Sequence, residues 1–217
     1  MKAYITLLIA TLLMSCSSSK ITSSWKEPNT TTVNFNKIMV VALLNTNEMA
    51  LQQKMEKHLV DDIKSFGYNA VSAFEQFGPK AFANVKEDEM LSKIKNAGAD
   101  AVITIVLLNK EKEKYYRPAE IMSTPFANDY GRLYGYFNNM QSRVISTGYY
   151  VSNTNYFWES SFYNLYSNKL IYVAQTKSFD PSSANTLAHE YGKKIIADMF
   201  TKNILTNKNS VINNSNE

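Results

Sequence analysis

Two short runs, Ile38 to Leu44 and Ala101 to Leu108, have almost no polar position, and they constrain the fold more than any other feature. A strand with one wet face alternates polar and apolar residues. A strand buried on both faces reads as an unbroken apolar run, and such strands belong to sheets with helices packed on each side. Between the runs, Leu51, Met55, Leu59, Ile63 and Phe66 recur at helical spacing, with Asn47 as the expected cap and Gly67 as the stop. Asn69 to Phe74 reads as a second strand. Glu87 to Ala97 reads as a second helix with Met90, Leu91, Ile94 and Ala97 on one face and Gly98 at its end. Strand, helix, strand, helix and strand with short links imply parallel pairing and right-handed crossovers.

The second half changes character. Arg143 to Val151, Asn155 to Tyr166 and Leu170 to Phe179 read as three antiparallel strands, the last two joined by a tight turn at Ser167-Asn168. Asp180-Pro181 is expected to start a final helix whose buried stripe is Ala184, Leu187, Ala188, Tyr191, Ile195 and Met199. The expected fold class is therefore α/β, of mixed α+β type. A three-stranded parallel β-α-β-α-β half is followed by an antiparallel three-stranded meander and a C-terminal helix, in one mixed sheet covered by helices. The boundaries read as a signal peptide over 1–15, a lipidated cysteine and polar tether over 16–34, a single domain over 35–205 and a disordered tail over 206–217. Within the tether, Ile21 to Lys26 has the make-up of an edge strand that docks through Trp25.

The start of the chain is MKAYITLLIATLLMSC. Lys2 supplies a positive n-region, and Ala3 to Leu13 is apolar apart from two threonines. A bilayer-spanning helix needs about 20 apolar residues, so this segment fits a secretory h-region instead. Leu13-Met14-Ser15-Cys16 has the order of a lipobox. Its cysteine sulfur is the nucleophile that accepts a diacylglyceryl group before cleavage, and palmitate-type chains hold the product on a membrane. More than one chain is needed for durable anchoring, because each methylene contributes only about 0.8 kcal/mol. Cys16 is the single cysteine, so the fold must rest on a core, and 45% hydrophobic residues can supply it. Ser17 follows the cysteine where an acidic residue would redirect sorting, so the expected place is the outer membrane, on its periplasmic face.

With Lys2 removed, the formal net charge drops from +4 to +3. No basic stripe is visible, so a nucleic-acid partner is not expected. The loop Asn45-Thr46-Asn47 has no glycine, which excludes dinucleotide and phosphate-loop fingerprints there. The sequence has no G-x-S-x-G elbow. Ser17-Ser18-Ser19-Lys20 matches a four-residue pattern of penicillin-binding enzymes, but it lies in the polar leader of the domain. His58 and His189 fall in no zinc-binding spacing, so no metal and no cofactor is expected. His58 is read as a local ion pair with Asp62. Glu120, Asp129 and Glu159 form no recognisable acid–base pair. No catalytic residue is assigned, and the chain is expected not to be an enzyme. Lys110 to Lys114 alternates in sign, which suits a solvated strand end that resists edge-to-edge pairing.

One segment stands out by composition. All three arginines and ten of the fourteen tyrosines fall between Tyr115 and Tyr166. Aromatics favour strands, but Tyr115 to Met140 contains Pro118, Pro125, Gly131 and Gly135 and reads as a long irregular connection. Tyrosine with arginine is the composition of contact surfaces. Tyr115, Tyr116, Arg117, Tyr130, Arg132 and Tyr134 are therefore the expected binding surface, for an envelope protein or a glycan; a structural covering of the sheet explains the same composition.

The stretches SSWKEPN, KIMVVALL, GYNAVSAFEQF, AGADAVITIVLL and NKLIYVAQTKSFDPSS together resemble a group of Bacteroidetes-type bacterial lipoproteins, over most of the mature chain. More remotely, the architecture is similar to the TolB amino-terminal domain and to CsgG-like envelope lipoproteins. That resemblance implies a non-catalytic interaction or assembly module of the cell envelope. The alternatives are an envelope hydrolase acting on glycan, which would show two close carboxylates in a cleft, and a module binding lipid or another small molecule, which would show an apolar pocket.

Overall fold

The computed structural model describes residues 18–28, 30, 34–80, 82, 85–117 and 149–209. Its elements are β1 (Ser19–Lys26), β2 (Ile38–Leu43), α1 (Met49–Ser65), β3 (Ala70–Ser72), α2 (Ala73–Phe77), α3 (Glu87–Asn96), β4 (Ala101–Arg117), β5 (Tyr149–Asn164), β6 (Lys169–Phe179) and α4 (Ala184–Thr201). The strands form one six-stranded sheet in the order β1-β6-β5-β4-β2-β3. β2 pairs in parallel with β3 and with β4, from Ile38↔Ala101 to Leu43↔Val106. The mixed α/β sheet expected from the sequence is present.

The fully apolar runs do sit between two layers. Ile38, Val40, Ala42, Ile103 and Ile105 face one core, closed by Leu59 and Ile63 of α1 and by Tyr191 and Ile195 of α4. Met39, Val41 and Val102 alternate to the other face, against Ala73 and Ile94. This is why neither run shows a polar period. Trp158 and Tyr172 fill the first core and are completely buried. The Tyr172 hydroxyl donates to Asp198 at 2.8 Å, and Tyr191 shares a hydrogen bond with Ser160.

Several expectations need correcting. The stretch 16–34 is not tether throughout. The edge strand expected over Ile21 to Lys26 is present but begins earlier, as Ser19–Lys26, antiparallel to β6 from Ser19↔Ser178 to Lys26↔Tyr172, and Trp25, expected to dock it, stays 44% exposed. The meander does not consist of three extra strands. β4 continues through the alternating charges to Arg117, and Tyr149–Asn164 is one strand, without a break at 152–154. Cross-strand contacts of Thr104 with Ser161, of Glu113 with Asn155 and of Tyr116 with Tyr150 run in opposite senses, so β4 and β5 are antiparallel. β4 is thus both the third parallel strand and the first antiparallel one. Positions 143–148 of the expected strand lie outside the described residues.

Helix ends also differ in detail. β3 stops at Ser72, whose hydroxyl accepts the Glu75 N–H and caps α2, so Phe74 is helical. Asn47 does not cap α1; Thr46–Glu48 forms a 3-10 turn first. Asp180-Pro181 precedes α4 rather than starting it, because the Ser183 hydroxyl accepts the Thr186 N–H and acts as the cap. Gly67 and Gly98 adopt the positive φ of helix stops, at +84° and +77°, as their positions implied. The tail 206–217 is ordered at its start: Thr206 donates its N–H to the Tyr68 hydroxyl at 3.0 Å, and the Lys208 ammonium lies 4.2 Å from the Tyr68 ring centroid.

The described chain divides into a larger unit, 1–110 with 156–217, and a smaller one, 111–155. The described part of the smaller unit consists of the outer arms of β4 and β5.

Candidate functional site

Three of the six residues chosen from the sequence are described: Tyr115, Tyr116 and Arg117 end β4. Tyr130, Arg132 and Tyr134 lie outside the described residues, and so does Cys16. A long two-stranded arm explains the local order. Alternation along β4 places Tyr115 and Arg117 on one face, where the guanidinium carbon stands 5.7 Å from the Tyr115 ring centroid. Tyr116 is on the other face, packed edge-on against Tyr150 of β5 at 5.5 Å. Tyr116 is 52% exposed and Tyr150 74%. Sequence reasoning missed Tyr149 and Tyr150 as members of this surface because it placed them in a separate strand. The usable signal was their adjacency to Val151 and Tyr156 at strand spacing. Asn155 fixes the base of the arm by donating to Glu113 at 3.0 Å.

The larger unit holds an apolar cavity of about 340 Å³ between the second sheet face and α3. Val41, Leu43, Met90, Ile94 and Tyr163 line it, with Glu87 as a charged group at the start of α3. That volume is at the small end of ligand pockets.

A buried acid lies at a second, smaller cavity of about 180 Å³, lined by Ala42, Gln52, Glu56 and Phe74 among others. Glu56 is completely buried, and its carboxylate accepts from the Ala42 N–H at 2.8 Å, the Ser72 hydroxyl at 2.6 Å and the Phe74 N–H at 2.7 Å. Burial raises its pKa above the usual carboxylate value, and these hydrogen bonds oppose the rise. The donors are backbone and hydroxyl groups that tie α1 to the end of β2 and the start of α2. Glu56 therefore serves as a clamp between elements. The sequence carried a faint signal for it: Gln52 and Glu56 are four apart beside the stripe Leu51-Met55-Leu59. Gln52 also points inward and donates to the Ala42 carbonyl at 2.9 Å.

The two histidines are not isolated. His58 of α1 and His189 of α4 stand 6.3 Å apart between ring centroids, with Asp62 near both. Burial pushes the Asp62 carboxyl up, and the two imidazoles and Lys193 pull it down. Asp62 Oδ2 is buried without a hydrogen-bond partner and lies against the Cα of Gly192. The expected local ion pair of His58 with Asp62 is not formed; His58 instead faces His189 across a helix–helix contact, with Asp62 nearby. Among the described residues no group of three or more histidine, cysteine or acidic side chains is placed to hold a metal ion. Of the acids singled out from the sequence, Glu159 accepts from Gln175 at 3.0 Å, while Glu120 and Asp129 lie outside the described residues. No helix among the described residues is long and apolar enough to cross a membrane.

No protein-family model matches the chain, and no curated protein is similar enough to count as a relative. Solved structures match it only at low similarity. The PelC dodecamer from Paraburkholderia phytofirmans is 8% identical, covering 82% of this chain and 94% of that one, with a TM-score of 0.43. Lipoprotein GNA1162 from Neisseria meningitidis is 14% identical, covering 76% and 98%, with a TM-score of 0.42. A PDZ domain protein from Parabacteroides distasonis is 9% identical over 90% of this chain, which spans only 39% of that protein, with a TM-score of 0.42. At these levels the likenesses assign neither a family nor a role.

Proposed function

We propose that this protein is a lipid-anchored module of the bacterial envelope that holds a partner without catalysing a reaction. The observation that carries the reading is the arm of β4 and β5. Folding leaves Tyr116 and Tyr150 largely in solvent on one face of the arm, with Tyr115 and Arg117 on the other, although aromatic side chains usually bury most of their surface. Exposed tyrosine with arginine is the make-up of contact hot spots. The anchoring half rests on Leu13-Met14-Ser15-Cys16 after an apolar leader. The outer membrane, with the domain on its periplasmic side, is the proposed location, and an envelope protein or glycan the proposed partner.

Crosslinking in intact cells tests the partner. Alanine at Arg117 and Arg132 should abolish the crosslinked product and leave the melting temperature unchanged. A product that persists in this variant, or is lost only together with folding, would contradict the reading.

A second reading has its own observation, the apolar cavity lined by Val41, Leu43, Met90 and Ile94. It would suit a small apolar ligand. Ile94→Trp should then block uptake of a fluorescent fatty-acid probe that the wild type binds, and absence of probe binding by the wild type would remove this alternative.

A further inference from the structure

The two cavities of the larger unit meet along one wall. Val41, Leu43 and Phe82 line both the apolar cavity of about 340 Å³ and the smaller one of about 180 Å³. Phe82 is held in that wall by an edge-on contact with Phe77, with ring centroids 5.9 Å apart. All described residues of both linings belong to the larger unit.

The linings differ in kind. On the larger side Met90, Leu91, Ile94 and Val102 give an aliphatic wall. On the smaller side Thr46, Gln52 and Lys80 bring polar groups, at the carboxyl ends of β2 and β3. Open α/β sheets take ligands at the carboxyl ends of their parallel strands. Small-molecule sites combine an apolar wall with a few placed polar groups, and the two cavities together have that make-up.

The charges are sorted as well. Lys80 is the one cationic side chain among the described residues of either lining, and it belongs to the smaller cavity. Glu87 stands at the larger cavity, in the first turn of α3 with Asp88 and Glu89. An anionic group is therefore repelled at the α3 side and attracted at the Lys80 side. Two other acids do not cancel that attraction. Glu56 lines the smaller cavity, but its carboxyl is engaged by Ala42, Ser72 and Phe74, and burial disfavours its charged form. Glu48, close to Thr46 in the chain, is paired with Lys110 at 2.5 Å.

We propose that the two cavities form one site for a single-chain aliphatic carboxylate, with its tail between the sheet and α3 and its carboxylate at Lys80. A volume at the small end of ligand pockets suits one chain rather than a two-chain lipid. The proposal rests on the apolar-ligand reading given above and adds the head group and its direction.

The test is photolabelling of the full chain in phosphatidylcholine nanodiscs. Three probes share a decyl chain with a diazirine at its far end and differ in the head: a carboxylate, an alcohol and a trimethylammonium. Labelled peptides are read by mass spectrometry. The carboxylate probe should label the peptide that contains α3, and unlabelled decanoate should displace it. Lys80→Gln should lower that labelling several-fold and leave labelling by the alcohol probe unchanged, and Lys80→Arg should restore it. Lys80 is exposed, so both variants should keep the wild-type melting temperature. Equal labelling of α3 by the carboxylate and alcohol probes, unchanged in Lys80→Gln, overturns the head assignment and leaves the apolar cavity as a site. Stronger labelling by the trimethylammonium probe overturns the head assignment in the same way. Absence of displaceable labelling at α3 by every probe removes both the head assignment and the apolar-ligand reading.

Discussion

Glu56 shows how one side chain can fix three elements. It is an acid inside an apolar layer, and it persists there because three donors converge on its carboxylate. Glu56→Ala should cost at least about 2 kcal/mol by chemical denaturation, since each buried donor left unpaired costs roughly 1–3 kcal/mol. Its titration gives a second handle. A carboxyl whose folded pKa is raised above 4.5 holds its proton longer in the folded state than in the unfolded chain. That contribution to stability is complete below pH 4.5 and is lost as pH rises through the raised value. Glu56→Gln should therefore flatten the decline of stability with pH above 4.5. An unchanged slope would mean that other groups set it. Gly192 makes a similar point by contact. Alanine in a helix interior gains about 1 kcal/mol over glycine. Here, however, the new methyl would collide with Asp62 Oδ2. Gly192→Ala should destabilise the wild type and stabilise an Asp62→Ala background, and a double-mutant cycle reads the difference. Neither residue could be read from sequence as a contact, since partners 14–18 residues away for Glu56 and on another helix for Asp62 are set by packing.

At the scale of elements, what was legible was whatever the chain encodes locally. The runs at β2 and β4 lack a polar period because both faces are covered, and that pattern can be read without knowing the partners. Gly67 and Gly98 mark helix ends because the positive φ at a helix stop favours glycine. What was not legible depends on pairing. The alternating charges of Lys110–Lys114 look like the end of a strand, yet β4 continues because β5 supplies hydrogen bonds beside it. Ser152-Asn153-Thr154 looks like a turn, yet the strand passes through it. β1 was legible as an edge strand but not as the start of the domain, and its partners on β6 are about 150 residues away. Deleting residues 18–26 should uncover the β6 edge. A loss of about 2–3 kcal/mol would lower the melting temperature by ~5–10 °C at this chain length, and the bare edge should promote concentration-dependent association. Thermal unfolding with light scattering checks both, and an unchanged melting temperature would make β1 an unimportant strand. Of the proposed contact surface, the tyrosine–arginine excess was visible in composition, whereas the arm that displays Tyr116 and Tyr150 required knowledge of the β4–β5 pairing.

For the whole molecule, the proposed anchor at Cys16 is two residues in sequence from Ser18. A tether over 16–34 would extend up to roughly 60 Å from the lipid if fully stretched. With β1 in the sheet from Ser19, the proposed anchor at Cys16 would lie two residues from the first described residue, and the proposed partner contact would have to occur close to the membrane. The measurement that tests this account most directly is intact-mass analysis of the protein from the membrane fraction, alongside Cys16→Ala. The account predicts a mature chain that begins at Cys16 and carries diacylglyceryl and acyl groups, with the variant released from the membrane fraction. An unmodified chain that retains residues 1–15, or a Cys16→Ala variant that stays membrane-bound, would contradict it.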